Sequence, residues 1–144
     1  MTQEARTKVY NKYNGHCAYC GKEIEYKDMQ VDHIMPKTSK SFIETYKTDP
    51  NGFDEFVHTF MKNHICYIEH VKRLDSIDDL LNLMPTCRRC NHYKRSSTIE
   101  QYRSNILTIL ERLRKDYLFN VAEDYGIITP KDWDGTFYFE RTKQ

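Results

Sequence analysis

The chain has 144 residues, of which 39% are hydrophobic and 30% charged, and a net charge of +1. That length suits one domain with a buried core, and that charge exerts no bulk pull on nucleic acid, so any such contact has to be local. No apolar run approaches the roughly 18 residues of a membrane span, and the first residues lack the apolar core of a signal peptide. The expectation is a soluble, cytoplasmic, single-domain protein (1–144) with no membrane partner. In a reducing compartment the five cysteines read as metal ligands or free thiols rather than as a disulfide set.

In chain order, residues 2–13 are expected to form a packing helix capped by Thr2 and ended by Gly15, with Val9 and Tyr13 on one face. Cys17 and Cys20 follow at C-x-x-C spacing with Gly21 behind them, the shape of a zinc knuckle. A redox pair is the competing reading, although no βαβ pattern surrounds it. Residues 24–26 and 29–34 are expected as short strands about a Lys27-Asp28 turn. The second ends in Asp32-His33-Ile34-Met35-Pro36, where His33 is either a functional group or a satisfied buried histidine.

Residues 37–81 contain a turn cluster at Asp49-Pro50-Asn51-Gly52 and a helix expected over 54–72, with Phe56, Phe60, Ile68 and Val71 in its apolar stripe. His64 falls within the stripe and reads as a core histidine. Cys66 falls nearly opposite and reads as a free thiol. A polar link over 75–79 leads to a third strand expected at 80–83. The stretch 82–95 then holds Cys87 and Cys90, two asparagines, His92, four cations and no acid. Beyond it, Ser96-Ser97-Thr98 with Glu100 and Gln101 marks the start of a long packing or dimerising helix, 98–126, ending near Tyr125-Gly126. Asp134-Gly135 is a turn and 136–140 a final strand.

Cys17, Cys20, Cys87 and Cys90 together make the four-cysteine set of a structural zinc. Such a zinc staples segments distant in sequence and has no open coordination position. The chemistry then needs a different metal. Asp32 and Asn91 offer oxygen ligands to a hard cation such as Mg²⁺. His33 offers a base, and Arg88, Arg89, Lys94 and Arg95 offer cations to phosphates. These are the parts of a phosphodiester hydrolase.

The order C-x-x-C, then D-H-I-x-P, then N-L-x-x-x-C-x-x-C-N-x-x-K resembles the HNH endonucleases of the ββα-metal class. It is carried by Cys17 and Cys20, residues 32–36, Asn82 with Leu83, and residues 87–94. The segment from Asn82 onward also resembles small HNH proteins of bacteria and phages. The resemblance implies an α+β fold with a ββα-metal core, a helical insertion over 37–81 and a helix beginning near Cys90. It implies His33 as general base, Asn82 as the middle asparagine that holds the loop and helps orient that base, and Asp32 and Asn91 as ligands of a catalytic Mg²⁺ or Mn²⁺. Asn91 replaces the third histidine, an H-N-N variant, because His92 lies one position late. Lys94 matches a lysine that reaches the DNA backbone, and the products would carry 5′-phosphate and 3′-hydroxyl ends. The alternatives are a non-catalytic zinc-stapled nucleic-acid-binding module and a phage packaging or regulatory interaction protein. DNA is the expected partner, with a homodimer or a packaging complex as further possibilities.

Overall fold

The structure, a computed structural model, describes residues 1–53 and 65–142, with the backbone alone for 65–68. It is α+β: a small two-stranded sheet set among short helices. Helix α1 (Gln3–Asn11) starts where the Thr2 hydroxyl accepts the Ala5 N–H at 3.2 Å, the cap its sequence promises. Its side chains then occupy the carbonyls of the following segment. Tyr10 donates its hydroxyl to the Ile24 carbonyl at 2.9 Å, and the Arg6 guanidinium donates to the carbonyls of Tyr26 and Met29. The strand expected at 24–26 is therefore absent, and only an isolated bridge, His16 to Glu23, precedes the sheet.

Strand β1 (Gln30–His33) pairs antiparallel with β2 (Leu83–Thr86), some fifty residues away, with Gln30 opposite Thr86 and His33 opposite Leu83. The strand expected at 80–83 starts later than its sequence suggests. Residues 80–82 form a 3₁₀ turn, because the Asp79 carboxylate accepts the Leu81 N–H at 2.8 Å and closes that turn. Helix α4 (Arg88–Lys94) follows β2 directly and packs on β1.

Between the strands lie α2 (Lys40–Thr48), which its sequence does not announce, and α3 (Ile65–Lys72), the described end of the helix expected over 54–72. His64 and the side chain of Cys66 lie outside the described residues. The Asp-Pro-Asn-Gly cluster is a helix start rather than a plain turn. Asp49 accepts the Gly52 N–H at 2.9 Å, and Pro50 occupies the first helical position, where its missing donor costs nothing. Met35, Ile43, Phe53, Val71, Leu74 and Ile77 bury together, so this part of the chain has an apolar cluster of its own.

The larger core gathers Val9, Tyr19, Met29, Leu83, Ile99, Tyr102 and Phe137. The single helix expected over 98–126 is three: α5 (Ile99–Leu107), α6 (Ile109–Leu113) and α7 (Tyr117–Asp124). Its start is as read, since Thr98 and Gln101 form a capping box. Its continuity fails because Asp116 accepts the Phe119 N–H at 3.0 Å and caps a new helix. Its stripe fails with it, and Tyr117 is 82% exposed. Gly126, at φ +67°, ends α7 where the sequence places the end.

The tail is a helical turn, α8 (Tyr138–Arg141), instead of the strand expected at 136–140. Glu140 reaches back to accept the Phe137 N–H at 2.8 Å and curls the chain. The tail still docks by its backbone, Tyr138 N–H on the Tyr19 carbonyl and Phe139 N–H on the Ala18 carbonyl. It covers the knuckle so closely that a Cβ on Gly21 would stand 2.8 Å from the Tyr138 ring. Among the described residues no helix is long and apolar enough to cross a membrane.

Candidate functional site

Two backbone devices build the cysteine cluster. The first knuckle turns tightly, with Gly21 N–H on the Cys17 carbonyl and Cys17 N–H on the Lys22 carbonyl, and Ala18 N–H on the Pro85 carbonyl ties it to β2. The second pair straddles a helix start: Cys87 is the N-cap of α4, its sulfur accepting the Cys90 N–H at 3.5 Å. The four sulfurs lie within 4.8 Å of one another, and those of Cys20 and Cys87 are 3.9 Å apart. A tetrahedral ion with metal–sulfur bonds of about 2.3 Å sets its sulfurs about 3.8 Å apart. The tetrad can therefore hold a metal such as zinc.

The four thiols lie close enough to govern one another's ionisation. Hydrogen bonds from Cys17 and Cys90 pull the Cys20 thiol down to about 2. The same contact with Cys20 pushes Cys17 up to about 11, and contacts with Cys17 and Cys20 push Cys90 up as well. One thiolate, at Cys20, is stabilised by its neighbours' S–H donors, and ionisation of Cys17 and Cys90 beside it is disfavoured. A dication at the centre reverses that ordering, because each ligand must bind as thiolate.

On β1, Asp32 is 7% exposed. Its Oδ2 accepts the Tyr19 hydroxyl at 2.5 Å and stands 3.0 Å from Lys94 Nζ. Lys94 has no exposed surface and donates also to the His33 carbonyl at 2.8 Å. This corrects the expectation that Lys94 meets DNA phosphate: its ammonium is enclosed against β1, as a buried charge must be paired. Arg88 and Arg89 in this helix and Arg95 at its C-cap are exposed. Asn91 is half-buried and stands one turn before Lys94, on the same helical face. Asp32, His33 and Asn91 thus belong to two elements in contact.

His33 is held by a residue that the sequence does not single out. Its Nε2 lies 2.9 Å from Asp78 Oδ1, and the imidazole is 13% exposed. The hydrogen bond to His33 holds the Asp78 carboxyl below its usual range, against a small opposing effect of burial.

Asn82, expected to orient His33, makes no hydrogen bond to that ring. It is fully buried and every polar site on its amide is engaged. Oδ1 accepts Met35 N–H at 2.8 Å and faces His70 Nε2 at 3.2 Å, while Nδ2 donates to the carbonyls of Ile77 and Met35. Asn82 therefore ties the segment after β1 to the loop before β2, the loop-holding half of its expected role. Its own carbonyl also accepts the Ile34 N–H at 2.9 Å, so its link toward His33 runs through the backbone. Burial holds the His70 ring below its ordinary value, partly offset by the hydrogen bond to Asn82.

Tyr19, Asp78 and His70 escape a reading of the sequence for different reasons. Tyr19 sits inside the C-x-x-C, where its spacing to Asp32 carries no signal. Asp78 is one of three aspartates in a polar link, and His70 is one position off an apolar stripe. Comparison with protein-family models, with curated proteins and with solved structures finds no match.

Proposed function

We propose that this chain is a metal-dependent DNA endonuclease of the HNH type, with a zinc ion in the cysteine tetrad as its structural staple. The observation that carries the reading is the adjacency of β1, which bears Asp32 and His33, to α4, which bears Asn91 and a run of exposed arginines. An antiparallel strand pair followed by a helix, with a base, a carboxylate and an amide on neighbouring elements, suits hydrolysis at a phosphodiester. The zinc site would be closed, so the tetrad takes no part in the chemistry.

In this reading His33 takes the proton from the attacking water. Arg88, Arg89 and Arg95 hold the DNA backbone. Asp32 Oδ2 is already shared by Tyr19 and Lys94, which leaves Oδ1, together with the Asn91 side-chain oxygen, for a catalytic Mg²⁺ or Mn²⁺. When bound, that cation supplies positive charge to the phosphate and to the leaving oxygen. The oxygen-only donors suit a hard cation.

A specific observation favours a second reading. The Lys94 ammonium already neutralises Asp32, and a carboxylate paired in this way has less to offer a metal. A non-catalytic, zinc-stapled DNA-binding module is the function consistent with that pair staying closed. Supercoiled plasmid incubated with the protein and Mg²⁺ or Mn²⁺ separates the two. The endonuclease gives nicked or linear DNA with 5′-phosphate ends. DNA that stays supercoiled in every divalent metal, with the fold intact and DNA bound, supports the binding module and overturns the nuclease.

A further inference from the structure

We propose that Asp78, supplied by the segment inserted between the two strands, is the positioning residue that fixes the His33 ring with Nε2 protonated and Nδ1 as its accepting atom. The inference rests on the nuclease reading for its consequence in catalysis, though not for its geometry.

A carboxylate has no proton to give when ionised, so the 2.9 Å contact between His33 Nε2 and Asp78 Oδ1 requires Nε2 to donate. In the neutral ring the lone pair then belongs to Nδ1, which is the atom left to take a proton from water. The partner bond of a histidine decides which nitrogen reacts, and here that partner is an aspartate rather than the asparagine at 82.

An exposed ion pair would be a weak constraint, but the loop holding Asp78 is fixed on both sides. Ile77 is buried, and its carbonyl accepts the Asn82 amide at 2.8 Å. The Asp79 carboxylate accepts the N–H groups of Asp75 and Leu81 at 2.9 and 2.8 Å. Ile77 also belongs to the apolar cluster that α2 and α3 build. The insertion thereby acts on the site from a distance, since its core sets the loop, the loop sets Asp78, and Asp78 sets the ring. Lys37 Nζ, 4.0 Å from the same Asp78 oxygen, adds a cation on the outer side. Asp78 itself is 67% exposed at its side chain, so replacing it leaves the core untouched.

The test uses the full chain, labelled with ¹⁵N-histidine and studied in alkaline buffer where the rings are neutral. The His33 signals are those missing from His33→Gln. In the wild type they report protonated Nε2 and unprotonated Nδ1. Asp78→Asn keeps an acceptor oxygen and keeps that pattern, while Asp78→Ala gives averaged signals of mixed tautomers. In single-turnover cleavage Asp78→Ala loses at least tenfold in rate with unchanged DNA affinity and melting temperature, and Asp78→Asn recovers most of it. A wild-type tautomer pattern in Asp78→Ala, or a wild-type cleavage rate in that variant, overturns the proposal. If the wild type cuts no DNA in any divalent metal, the nuclease reading fails, and the ring signals alone then decide whether Asp78 sets the tautomer.

Discussion

Lys94 is the residue whose environment departs furthest from its sequence. In a run of arginines it reads as one more cation for phosphate. In the structure it has no exposed surface, and its ammonium lies between the Asp32 carboxylate and the His33 carbonyl. Removing one partner of a buried pair leaves the other charged and unpaired, which costs about 3–5 kcal/mol. Lys94→Met should lose about that much in urea unfolding, and adding Asp32→Asn should recover part of it. A loss below about 1 kcal/mol would mean that the pair contributes little. His70 makes a prediction in pH. Burial lowers its folded-state pKa below the ordinary 6.5, so the unfolded chain takes up the proton first as the pH falls. The stability owed to this site is therefore full above about pH 6.5 and declines below it. In His70→Gln that part of the acid destabilisation should vanish from a series of denaturation curves. An identical pH dependence in the variant would mean that His70 carries none of it.

At the scale of elements, what was legible was local. The Thr2 and Thr98 caps, the Gly126 stop and the pairing of C-x-x-C with turn geometry all depend on a few neighbouring residues, and all appear as read. What was not legible depends on a distant partner. Residues 24–26 have strand-like side chains, but Arg6 and Tyr10 of α1 take their carbonyls. The apolar stripe of 98–126 is continuous in sequence, but Asp116 can cap a helix and does. The tail has the alternation of a strand, but Glu140 captures the Phe137 N–H. In each case side chains compete successfully for backbone groups, and no period reveals it. The candidate site divides the same way. The four cysteines and the neighbours Asp32 and His33 announce themselves, while Asp78 and Tyr19 act across 45 and 13 residues respectively.

For the whole molecule, the tetrad is the junction. One pair comes from the knuckle beside β2 and the other from the start of α4, and the C-terminal tail closes over the knuckle. A metal there ties the first quarter of the chain to the middle, so its loss should loosen the sheet and α4 together. Chelation, or Cys87→Ser, should lower the melting temperature by at least several degrees and release one equivalent of zinc per chain. Unchanged melting with no zinc released would remove the staple. The proposed hydrolytic site lies where β1 and α4 meet, with His33 as its base. The most direct measurement compares plasmid cleavage by the wild type and His33→Ala at saturating Mg²⁺ or Mn²⁺, with DNA binding measured alongside. The rate in His33→Ala should be at least about 100-fold lower, the size of a lost general base, with DNA affinity unchanged. Cleavage by His33→Ala within a few-fold of a cutting wild type would contradict it.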